Sequence, residues 1–177
     1  MRIIETKVYL FDELSDKAKQ KAINWFLEAS HIDDEDEFHY TIEDAKQIGL
    51  TIISLYEHRP NSGSFMQGAI ECAKAIIKDH GDTCETYKTA KTFLASIESL
   101  EAEYIEDEDG ERISNIDGKD NYEDKKEELE EEFLHSILED YRIMYKKNVE
   151  DSQSDEYISD TIIANEYTFT ESGKRFG

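Results

Sequence analysis

The sequence predicts an α+β fold: a small antiparallel sheet packed against several amphipathic helices, with one long helix in the C-terminal half. Three observations carry this. Apolar residues recur at helical spacing over several stretches, short β-branched and aromatic runs alternate with them, and the only proline is Pro60, so long helices meet almost no breakers. With 177 residues the chain is expected to form a single domain with a real core.

Residues 3–11 (IIETKVYLF) read as a strand. Ser15 is placed to cap a helix, with Asp16 in its first turn where the dipole favours an anion. Ala18, Ala22, Trp25, Phe26 and Ala29 then form one helical face, which is expected to bury Trp25 and Phe26 against the strand. Residues 31–40 (HIDDEDEFHY) read as an acidic loop. Thr41 with Asp44 resembles a capping box opening a second helix, and Gly49 is placed to end it.

Residues 50–57 read as a strand and HRPNSGS as a turn. From Phe65 the string FMQGAIECAKAII fits either a strand bulged at Gly68 or a helix; strand is the expectation for its first half. A helix follows over 83–104, then a second acidic loop over 106–121, then the long helix over 122–148 with Leu129, Phe133, Ile137, Tyr141 and Met144 on one face. Ser154 caps a short last helix, 165–170 alternate as a strand, and ESGKRFG is a short flexible tail.

Charge dominates the composition. The chain holds 43 Asp and Glu against 20 Lys and Arg, a formal net charge of −23. Dispersal in water needs a net charge of only roughly 2 to 8. The excess costs stability by self-repulsion and projects a field that repels nucleic acid and anionic membrane while attracting basic surfaces. The 10 Tyr and 8 Phe argue against a disordered acidic tail. No apolar run approaches the ~20 residues of a membrane span, and no secretory signal opens the chain. The expected location is the cytoplasm.

Motifs for chemistry are lacking. No glycine pattern matches a nucleotide-binding loop. Setting Gly110 or Gly118 at the turn of a calcium loop puts Ile105 or Ile113 where an aspartate is required. His31, His39, His58, His80 and His135 have no zinc spacing, and Cys72 and Cys84 form no CxxC pair. The expectation is therefore no enzyme, no cofactor and no metal; a catalytic site without a local signature is the least favoured alternative.

The acidic runs are the candidate partner-binding residues: Asp33, Asp34, Glu35, Asp36 and Glu37; Glu106, Asp107, Glu108 and Asp109; and Asp124, Glu127, Glu128, Glu130 and Glu131. Asp124, Glu127, Glu128 and Glu131 recur at i, i+3, i+4 and i+7, a spacing that places neighbours ~5–6 Å apart on one helical face. Phosphates on a DNA strand advance ~3.4 Å along the axis. Because Arg and Lys accept carboxylate and phosphate in similar geometry, such a stripe can occupy a groove built for nucleic acid. The expected partner is a basic nucleic-acid-binding protein or complex, with no direct binding of nucleic acid or membrane.

The opening TKVYLFDELSDKAKQKAINWF resembles that of a family of small phage and prophage proteins, whose pattern is VYxFDELSDxAKxKA…W. The ending ANEYTFTESGKR is similar to the same family's ANEYxFTxxGKR. In the centre, Ser62, Gly63, Ser64, Phe65, Gln67 and Gly68 only loosely echo the family's SGFxSQGDGAxFxG segment. Members are often labelled antitoxins of toxin–antitoxin systems. The resemblance assigns no functional residues. It implies a phage context, in a host cytoplasm, and by analogy a counter-defence protein directed at a CRISPR or restriction effector. An antitoxin-like protein that neutralises a basic toxin is the alternative.

Overall fold

The computed structural model describes residues 5–30, 34–106, 112–114 and 122–177. The described elements are six helices and three two-stranded antiparallel sheets, the expected α+β class. They fall into two compact units, one of Met1–Glu37 with Lys146–Gly177 and one of Phe38–Tyr145.

In the first unit, β1 (Tyr9–Leu10) runs into a 3₁₀ turn, Phe11–Glu13, and then into α1 (Asp16–Ser30). The expected strand over 3–11 is thus cut to two described residues. The Glu13 carboxylate accepts a hydrogen bond from the Leu10 amide at 2.7 Å, which closes the turn and ends extended pairing. The partner of β1 is β6 (Thr168–Phe169), near the other end of the chain, with Tyr9 opposite Phe169. Ser154 caps α6 (Asp155–Ala164) as expected, its Oγ accepting from the Tyr157 amide at 3.2 Å.

Phe11, Ala22, Ile23, Phe26, Ile158, Ile162 and Phe169 fill this core. Phe26 is buried as expected, but Trp25 is only half-buried. Its neighbours are Tyr167 and Phe169, edge-on at 5.7 and 5.8 Å, not the first strand. Residues 171–177, expected as a tail, turn back instead. Phe176 donates to the Thr168 carbonyl at 2.9 Å, and the Arg175 guanidinium lies 4.7 Å from the Tyr167 ring centre and 5.8 Å from that of Trp25.

In the chain between 31 and 48 the acidic loop gives way to a helix: α2 spans Asp34–Gln47. Phe38, Thr41, Ile42, Ala45 and Ile48 form one stripe that reaches back to the end of the acidic run. Carboxylates at a helix N-terminus are favoured by its dipole, so the acidic run suits a helix start. Thr41 is accordingly a buried mid-helix residue, not a cap. Gly49, at φ +78°, ends the helix as expected, its amide reaching the Lys46 carbonyl at 3.1 Å.

In the second unit, β2 (Leu50–Ser54) pairs with β3 (Ser62–Phe65), so the turn occupies 55–61 and Phe65 closes a strand. Gly68 precedes α3 (Ala69–Asp79), which overturns the bulged-strand expectation beyond Phe65. The period explains the outcome: Ala69, Cys72, Ala73 and Ile76 are all buried at i, i+3, i+4 and i+7. Helix α4 (Glu85–Glu103) and the long α5 (Tyr122–Ser152) lie where expected. Between them β4 (Tyr104–Glu106) pairs with β5 (Arg112–Ser114), so part of the expected second acidic loop is a hairpin.

The core of this unit joins all its main elements. Phe133 of α5 is sandwiched between Phe93 of α4, at 4.3 Å and 7°, and Phe65 of β3, at 5.4 Å and 11°. Ile48, Leu50, Ile76, Ile137 and Tyr141 are fully enclosed around it.

Candidate partner-binding surface

The acidic residues singled out by spacing fare differently. Asp33, Asp107, Glu108 and Asp109 lie outside the described residues. Asp34, Glu35, Asp36 and Glu37 form the first turn of α2, and Glu106 ends β4. On α5, Asp124, Glu127, Glu128 and Glu131 are all exposed on one face, and none forms an ion pair among the described residues. Glu130 is different. It is half-buried and 3.9 Å from the Lys126 ammonium, so it does not belong to the stripe.

Between Tyr122 and Tyr145 the α5 sequence carries nine acids against three bases. Two of those bases are engaged elsewhere. Lys125 lies 5.7 Å from the Tyr104 ring centre, and Arg142 grips Glu139 through two bonds of 2.6 and 2.8 Å. That grip holds the Glu139 carboxyl below the usual range. The stripe therefore keeps its charge for the outside. Ion pairs described elsewhere, such as Glu43–Lys46 at 2.5 Å and Glu85–Lys88 at 2.6 Å, are local i,i+3 contacts that leave the long-range field in place.

A consequence is measurable. Melting temperature should rise with sodium chloride, as the Debye length falls from ~10 Å at 0.1 M to ~3 Å at 1 M and self-repulsion is screened. A flat or falling melting temperature would mean that local pairing, not net repulsion, governs the charge energetics.

Beside the stripe, α4 and α5 diverge and leave a groove. One part, about 300 Å³, has Phe93, Leu129 and Phe133 at its floor and Lys88, Thr92, Ser96 and Glu132 among its walls. The adjoining part, about 380 Å³, shares Ser96, Leu129 and Glu132 and adds Ser99, Leu100, Glu103, Lys125 and Glu128. Sequence reasoning missed this groove. Its signal is present on α4, where Thr89, Thr92, Ser96 and Ser99 recur at helical spacing beside Phe93.

The other polar clusters hold the helices together. The Tyr141 hydroxyl donates to Asp44 at 2.8 Å, and burial with that carboxylate beside it pushes the phenol's pKa up. His80 Nδ1 lies 2.7 Å from Thr86 Oγ1, and its Nε2 is 4.0 Å from the same Asp44. Thr89 donates to Asp140 at 2.6 Å, and burial is the main cause that raises the Asp140 carboxyl. Cys72 is buried nearby and its thiol is pushed up to about 12, far from the thiolate that nucleophilic chemistry requires. Cys84 is exposed and free. Among the described residues no group of His, Cys, Asp and Glu is placed to hold a metal ion, and no helix is long and apolar enough to cross a membrane.

No protein-family model matches the chain, and neither the curated proteins nor the solved structures return a match.

Proposed function

We propose that this chain is an acidic, non-enzymatic inhibitor that binds a basic nucleic-acid-binding protein and occupies the surface meant for nucleic acid. The carrying observation is the exposed row Asp124, Glu127, Glu128 and Glu131 on one continuous helix, with no ion-pair partner among the described residues. A helix fixes the spacing of these carboxylates before binding, so little conformational entropy is lost on docking. The phage context implied by the resemblance points to a CRISPR or restriction effector as the target.

The test is competition. Increasing amounts of the protein should release labelled DNA from a purified effector, and release should weaken as salt rises. Asp124→Asn combined with Glu127→Gln, Glu128→Gln and Glu131→Gln should weaken release by at least about tenfold while the variant stays folded, because close interfacial charge pairs carry more than ~1.5 kcal/mol each. DNA that remains bound beside the inhibitor, or full activity of the variant, would sink the mimicry. The apolar floor of the α4–α5 groove favours a second reading, an antitoxin-like protein that neutralises a toxin by a shaped interface. A toxin gene beside this one, with no competition against nucleic acid, would select it.

A further inference from the structure

We infer that the groove between α4 and α5 seats a helix of the partner, apolar where it meets Phe93 and Phe133 and basic where it meets Glu103 and Glu128. This rests on the partner being a basic protein, and it does not require that nucleic acid be displaced. From Thr89 to Glu103 the groove runs fourteen residue steps along α4, about 21 Å at 1.5 Å per residue. A helix of about that length would span it, lying against two helices as the third member of a small bundle.

The groove's chemistry is graded along its length. At the Phe93 end the floor is aromatic and aliphatic, and the one cation there, Lys88, is neutralised by Glu85 at 2.6 Å. At the other end Glu103, Glu128 and Glu132 face Lys125, which is drawn over the Tyr104 ring. That end is net negative. A partner segment with large apolar side chains followed by Lys or Arg complements both halves.

The α4 wall also tolerates being covered. Thr92, Ser96 and Ser99 donate their hydroxyl hydrogens to the carbonyls of Lys88, Thr92 and Ala95 at 2.9, 3.1 and 2.9 Å. Thr89 donates to Asp140. An apolar surface laid over these residues strands no donor, so docking avoids the usual ~1–3 kcal/mol penalty for each buried unsatisfied group.

The probe is a fluorescein-labelled helical peptide of about fourteen residues, with leucines on one face of its first half and lysines on the same face of its second. It should bind the full chain saturably, with an affinity that falls as salt rises. Ser96→Trp fills the groove without changing charge and should weaken binding by about tenfold or more. Glu128→Lys with Glu132→Lys should lose the lysine peptide and gain one with glutamates in their place. Circular dichroism melts establish that each variant is folded. Absence of saturable binding, or binding indifferent to both variants, overturns the groove as a helix seat. If DNA release by the native protein persists in that case, the acidic-stripe reading stands without the groove. Peptide binding without DNA release keeps the groove and removes the mimicry.

Discussion

Phe133→Ala is expected to lower the stability of the chain by ~3–5 kcal/mol, the range for removing a buried aromatic side chain. Phe133 is 3 % exposed and lies between two rings that come from different elements, Phe65 of β3 and Phe93 of α4. Its loss would therefore leave both rings facing a void and remove the contact that ties strand, α4 and α5 together. A void of that kind collapses only partly, since Leu138, Ile137 and Tyr141 are already packed in place. Domains of this size are stable by only ~5–15 kcal/mol in all, so the midpoint of urea unfolding should move far. Phe133→Leu retains much of the volume and should cost markedly less. Equal, small losses for the two substitutions would show that the ring stack is not a core element.

Where the sequence was legible, local pattern was sufficient. The α5 stripe, Gly49 as a helix stop and Ser154 as a cap each depend on residues within a few positions of one another. The face shared by Asp124, Glu127, Glu128 and Glu131 follows from helical spacing alone. What local pattern misled was the run Asp34–Glu37, where charge density suggested a loop and the helix dipole with the Phe38 stripe made a helix. What it could not contain were contacts between distant residues. Tyr9 opposite Phe169, Phe65 on Phe133 and Arg175 over Tyr167 are set by tertiary packing. The candidate surface divides the same way. The stripe is visible in the sequence, as is the i,i+4 spacing of Lys126 and Glu130 within α5, whereas the groove at its side depends on how α4 and α5 meet.

Gly173→Ala should be the most damaging change near the C-terminus. Gly173 has φ +83°, and a Cβ there would overlap the Ala18 carbonyl oxygen and stand 2.9 Å from both its carbon and the Ala18 Cα. Those are backbone atoms of α1, so no side-chain rotation relieves the clash. The left-handed conformation alone costs an L-residue roughly 1–2 kcal/mol, and overpacking adds about 1–3 kcal/mol. Gly49 supplies the control, since its φ of +78° is similar and nothing lies within 4 Å of the added Cβ. Gly49→Ala should therefore show the conformational cost by itself. In Gly173→Ala the relief available is for residues 170–177 to lift away from α1, which would take the Arg175 guanidinium off the Trp25 and Tyr167 rings. Trp25 is the only tryptophan, so its emission should shift to the red and become accessible to iodide in this variant and not in Gly49→Ala. Equal melting temperatures for the two variants, with Trp25 emission unmoved, would show that the C-terminal segment does not rest on α1 in solution.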